Sequence, residues 1–242
     1  MLKEVLFNSR NYQPKTQLFL AFFFTGFTIV ALGIDSVFFT YHYFDARMIT
    51  NIAAIAYFSL LFFTADLPLR KLMLVMVFLS YIGELIFCQL LGMYYYRTDW
   101  IPLYVPFGHA IVYASGYIFA HTNWVVKNEK LLQRIFAGFF ILLFLGVGIL
   151  LQDVFSLLFG SLFFLLLKRK RWQNLYYCIA LCVIFIELVG TYFQCWTWVP
   201  KTFGVIPAAN PPMGAVFFYA GGDVLLVKII TVWENKKLKS IA

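Results

Sequence analysis

Charge is what this sequence has least of. Only 12% of its 242 residues are Asp, Glu, Lys or Arg, about half the share of a soluble domain. A surface so poor in charge cannot be kept in water, which argues for an integral membrane protein. The net charge of +8 would suggest nucleic acid in a soluble chain. Here it is explained by basic residues in cytoplasmic loops, and no nucleic-acid partner is expected. Catalytic signatures are also missing. The sequence contains no Gly-rich phosphate loop, GxSxG elbow, HExxH or His-box set, so ATP-driven work, serine hydrolysis and zinc proteolysis lose support. Cysteines are few: Cys88, Cys178, Cys182 and Cys195 lie in or beside apolar segments, without CxxC or zinc spacing. Cys178 and Cys182 share a helix face and read as small core residues.

What fills the chain is apolar: 62% hydrophobic, 21% aromatic, mean hydropathy +0.82. Charge brackets helices at about 17–34, 47–65, 72–96, 101–126, 135–152, 153–167, 174–196 and 212–233. The first follows Arg10 and Lys15 but is longer than a signal-peptide core, so it reads as a span. Asp153 reads as the turn of a tight hairpin. With the N-terminus inside, every inner segment is basic: Lys3, Arg10 and Lys15; Arg70 and Lys71; Lys127, Lys130 and Arg134; Lys168 to Arg171; Lys236, Lys237 and Lys239. The outer side holds Arg47, Arg97 and Lys201. The expected fold is an all-α polytopic membrane protein of eight transmembrane helices, both termini cytoplasmic, in a bacterial cytoplasmic membrane.

Only eight prolines occur, and four fall on matched places. "IPLYVPFGHAIVYASGY" (101–117) and "IPAANPPMGAVFFYAGGD" (206–223) share Ile-Pro, a second Pro four residues on, Gly, and Tyr-Ala-x-Gly. Each follows a helix with one glutamate, Glu84 or Glu187. Residues 1–134 and 135–242 are therefore expected to be two parallel four-helix repeats related by an axis along the membrane normal. Paired prolines cannot sit inside a helix, so the last helix should start after "IPAANPP", with Asn210 as N-cap. The fourth helix should start near Pro106. Non-helical backbone at that depth must be covered by protein or line a wet cavity, a first hint of a cavity opening outward.

An ionisable residue inside a membrane is costly and becomes a functional candidate. At 1.5 Å rise per residue, Glu84, Glu187 and Asp223 each lie roughly 18–20 Å from the end of their helix, near the midplane. Asp223 aligns with Tyr117 of the first copy. His109, on a helix face with Tyr113, would sit above the carboxylates as an acid/base group. Substrate-binding candidates are the matched Tyr113 and Tyr219, Asn210, Arg97, Trp196 and Trp198. Arg97 is expected to pair with Asp99 or to hold a polar head group. Tyr94, Tyr95, Tyr96, Trp100 and Tyr192 complete an aromatic crowd at the outer mouth, which an interfacial belt explains.

The leading reading is an enzyme acting on a lipidic or isoprenoid-like substrate by carboxylate acid/base chemistry, or with the three carboxylates holding a divalent cation. A proton-coupled transporter of a small or amphipathic solute is the alternative, and a structural membrane subunit is the third. The implied partners are the lipid bilayer and a hydrophobic or amphipathic small molecule.

Overall fold

The computed structural model describes residues 15–239, with side chains through Asn235. The terminal charges at Lys3 and Arg10, and the side chains of Lys236, Lys237 and Lys239, lie outside it. Within it the chain is mostly helical, with two short antiparallel ribbons and connecting loops. The major helices are α1 (Lys15–Ile34), α3 (Arg47–Thr64), α4 (Leu67–Glu84), α5 (Tyr104–Ala120), α7 (Glu129–Leu150), α8 (Val154–Leu167), α9 (Gln173–Tyr192) and α10 (Val216–Lys239). Two short helices, α2 (Val37–His42) and α6 (Asn123–Lys127), join them. Among the described residues six helices are long and apolar enough to cross a bilayer, the build of a multi-pass membrane protein. Two expected spans are shorter: α5 has 17 residues and α8 has 14. At 1.5 Å per residue α8 reaches about 21 Å, less than a hydrocarbon core of about 30 Å.

The helix ends depart from the expected boundaries for local reasons. Asp66 caps α4, its Oδ1 accepting from the Leu69 amide at 3.0 Å, with Pro68 in the first turn. The 72–96 helix does not run through. After Glu84 it widens into a π-helical turn (Leu85–Leu90), then breaks at Gly92, whose φ of +57° suits glycine. Strand β1 (Tyr94–Tyr96) follows. The 174–196 helix likewise stops at Tyr192, and its last expected residue, Trp196, opens β2 (Trp196–Trp198). The fourth helix starts at Tyr104, whose amide donates to Asn51 Oδ1 at 2.8 Å. Pro106 thus falls in the first turn, where its missing donor is not needed. Asp153 does make the hairpin turn, as the N-cap of α8: its carboxylate accepts from the Ser156 amide at 2.9 Å. Ser156 Oγ in turn accepts from the Gly214 amide at 2.9 Å, fastening a 3-10 turn (Met213–Ala215) to α8.

Asn210 is not the cap of the last helix. Its Oδ1 accepts from the Trp198 amide at 3.0 Å and so holds β2. Helix α5 runs through the centre, packed on α1, α3, α4 and α9. Its closest neighbour is α9, because Gly116 lets the backbones meet: a Cβ there would lie 2.6 Å from Ile179 Cα. Lipid-facing side chains such as Phe19, Phe78 and Leu142 remain exposed, as expected where the solvent is hydrocarbon.

Candidate functional site

The two glutamates meet one small piece of sheet. Strands β1 and β2 pair antiparallel, with Tyr94 opposite Trp198, Tyr95 opposite Thr197 and Tyr96 opposite Trp196. Side chains alternate along a strand, so residues 94 and 96 and residues 196 and 198 share one face. Tyr95 points away and is exposed. On the shared face, Tyr94 and Tyr96 hydroxyls donate to Glu84 Oε2 at 2.9 and 2.7 Å. The indole N–H groups of Trp196 and Trp198 donate to Glu187 Oε2 at 2.9 and 3.1 Å. Each carboxylate is thus held by two aromatic donors spaced two apart on the strand that follows its own helix.

Glu84 has a third partner, since its Oε1 lies 2.9 Å from His109 Nε2. The His109 ring stacks on Tyr219 with centroids 5.1 Å apart and planes at 15°. The carboxylates are near enough for their charges to interact, and Glu187 is within electrostatic reach of His109. Among the described residues no hydrogen bond reaches Glu187 Oε1. Glu84, Glu187, His109 and Tyr219 line one cavity of about 410 Å³, whose remaining wall is mostly apolar and aromatic. Trp196 reaches its place because Gly190 has no side chain: a Cβ there would lie 2.0 Å from the indole Cη2.

Several expectations need correction. Asp223 is not in this cluster. It is buried between α5 and α9, accepting from Tyr113 at 2.8 Å and Tyr176 at 2.5 Å, with Lys170 Nζ at 3.8 Å. Tyr113 goes with it, although His109 is on the same helix, because the two residues meet different neighbours one turn apart. The three carboxylates therefore do not converge. Among the described residues no three His, Cys, Asp or Glu side chains could hold a metal ion together, so the divalent-cation option has no ligand set.

Arg97 does not pair with Asp99. Its guanidinium binds Asp35 at 2.7 Å and Asp45 at 3.0 Å, and it does not line the cavity. Asp35 was missed. It is 1% exposed in a short turn and also accepts from Tyr104 at 2.8 Å. Burial pushes its carboxyl above the ordinary range, and the hydrogen bond from Arg97 works against that. The expected outer mouth is instead roofed by the β1–β2 ribbon. Tyr94 and Tyr96, read as a belt, belong to the site. The i,i+2 aromatic spacing in "YYY" and "WTW" was the available signal for them.

Compared with known proteins, the chain matches no family model, no curated protein and no solved structure.

Proposed function

We propose that this protein is an intramembrane acid/base enzyme acting on the unsaturated hydrocarbon chain of a lipidic, isoprenoid-like molecule. The observation that carries the reading is the pair of glutamates on one apolar cavity, each carboxylate held from behind by two aromatic donors. Two ionised carboxylates in a low-dielectric space repel, and one of them keeps a proton. Glu84, with two phenols and a histidine, is provided with the donors of a carboxylate. Glu187 is assigned the proton, on the Oε1 that no donor reaches. From there it adds to one carbon of a double bond, the π electrons forming the new C–H bond. Aromatic faces of Trp196, Trp198 and Tyr219 stabilise the cation left on the neighbouring carbon. The Glu84–His109 pair then takes a proton from an adjacent carbon, whose C–H electrons become a new double bond. That proton returns to Glu187, so the cycle is a double-bond isomerisation needing no co-reactant.

The same ribbon supports the two-repeat reading. Glu84 and its first donor are ten residues apart and Glu187 and its first donor nine. The π turn at Leu85–Leu90 takes up the additional residue. A local twofold axis then passes between Tyr95 and Thr197, and the halves 1–134 and 135–242 are proposed as its two members. Eight membrane-embedded helices with both termini cytoplasmic remain the proposed topology. Single cysteines in the 168–171 loop would then react only from the cytoplasm, and one at Val205, exposed in the loop after β2, only from the other side.

A transporter is less well supported, because the lining goes no further than Val112 along α5 and Leu225 along α10, and includes neither Tyr113 nor Asp223. The reading is tested by extracting lipids that copurify with the protein and identifying them by mass spectrometry. An unsaturated, largely hydrocarbon lipid enriched over bulk membrane supports it. A polar solute bound in its place contradicts it.

A further inference from the structure

Helix α4 with its π-helical continuation (Leu85–Leu90) runs antiparallel to α10 and touches it near both ends of their overlap. At one end the rings of Phe87 and Phe218 pack with centroids 4.7 Å apart. At the other, Lys71 Nζ binds Glu234 at 2.6 Å. Both pairs fit one register, which brings Gly83 level with Gly222. Tightly packed helices would leave no room for a side chain at such glycines. Yet a Cβ on Gly221 or Gly222 would meet nothing within 4 Å, and one on Gly83 only its own helix's Phe87, at 3.8 Å. All three glycines line the cavity. So do Ile82, Ile86 and Leu225, which are 53%, 41% and 46% exposed on the outer surface. Residues that are both cavity wall and lipid-facing surface mark an opening.

We infer that a slit between α4 and α10, one turn from the Phe87–Phe218 contact, opens the cavity sideways to the bilayer, and that a lipid hydrocarbon chain enters through it. This rests on the proposed function for its purpose but not for its existence. The rim is apolar, so a dissolved chain exchanges lipid contacts for protein contacts without desolvating any polar group. The roof of aromatic side chains covers the adjacent end, leaving the lipid side as the route. The substrate is thus taken from the membrane, not from water, and the slit between two helices selects a slender chain over a bulky ring system.

Lipid entry can be read without turnover. Trp196 and Trp198 are only 8% and 5% exposed, so acyl chains at the protein surface cannot touch them except through the slit. The exposed Trp100, Trp124 and Trp233 and the buried Trp172, which does not line the cavity, are replaced by phenylalanine, and the protein is placed in nanodiscs of phosphatidylcholine carrying a dibrominated acyl chain, a contact quencher of indole fluorescence. The expected result is quenching of the cavity tryptophans that is lost in Gly222→Leu and Gly83→Leu, with circular dichroism and thermal unfolding unchanged. Gly26→Leu, where a Cβ also meets nothing within 4 Å but which is not part of the cavity wall, should keep the quenching. If either slit variant does not fold, Gly221→Leu carries the same expectation. Unquenched cavity tryptophans in the parent protein, or quenching that survives in folded slit variants, would overturn the slit. Quenching that is slit-dependent in a protein with no acid/base chemistry would leave the slit standing and remove the proposed function.

Discussion

Replacing Gly190 with alanine should dislodge one of the two donors that hold Glu187. A Cβ at residue 190 would lie 2.0, 2.2 and 2.4 Å from Cη2, Cζ2 and Cζ3 of Trp196, where carbon atoms prefer about 3.5–4.0 Å. The indole has to move by more than 1 Å, judged from those contact distances, or α9 has to shift beneath it. The N–H to Glu187 Oε2 bond is 2.9 Å, and such a displacement takes it beyond the range of a hydrogen bond, about 3.2 Å. Losing a hydrogen bond to the protonated Glu187 carboxyl costs about 0.5–1.5 kcal/mol, and overpacking adds about 1–3 kcal/mol. Some gain in helix propensity, below about 1 kcal/mol, offsets part of this. The expected net is a destabilisation of about 1–4 kcal/mol, seen in denaturant titration in mild detergent together with altered tryptophan emission. Gly138→Ala and Gly146→Ala are the comparison, since a Cβ at either meets nothing within 4 Å. Gly190→Ala with wild-type stability and unchanged emission would mean that Trp196 does not lie across α9.

Removing Arg97 should harm the protein more than removing the charge it neutralises. Arg97→Met leaves Asp35 buried without its ion pair, a loss of about 3–5 kcal/mol, whereas Asp35→Asn keeps an acceptor for Tyr104 and costs on the order of 1 kcal/mol; unfolding of the two variants at neutral pH compares them. Because the folded Asp35 carboxyl is raised, it holds its proton to higher pH than the unfolded one, which titrates near about 3.9. Its contribution to stability is therefore greatest at low pH and declines as pH rises through the folded value, more steeply in Arg97→Met. Asp223→Ala should cost about 1–3 kcal/mol by leaving the Tyr113 and Tyr176 hydroxyls without their acceptor, yet leave the chemistry at Glu84 and Glu187 in place. Abolished turnover in a folded Asp223→Ala protein would return Asp223 to the site.

The apolar helices and the two glutamates set in them were legible in the sequence, because length and charge are local signals. Glu84, Glu187, His109, Tyr219, Trp196 and Trp198 do line one cavity. Depth alone misplaced Asp223, since helical rise gives height but not the face a residue turns to its neighbours. The ribbon was hidden for another reason. "MYYYR" and "CWTWV" continue apolar helices and were read at helical period, while their two-residue alternation is too short to stand out. Tertiary pairing decides them, and with it the donors of both glutamates. Asp35 was overlooked beside a helix end where an acid is usually solvated; only the fold brings Arg97 and Tyr104 to it.

The central claim is that Glu187 gives a proton to carbon inside the membrane. The direct measurement is deuterium incorporation into lipid carbon. Native membranes rich in the protein are suspended in D2O, and their extracted lipids are compared by mass spectrometry with those from membranes carrying Glu84→Gln, Glu187→Gln or both at matched protein level. The account predicts one class of unsaturated lipid labelled at carbon by the wild type. It also predicts label absent in each single variant as fully as in the double, because the two carboxylates act as one unit. Lipids with no carbon-bound deuterium in the wild type, or label that persists in the double variant, would contradict it.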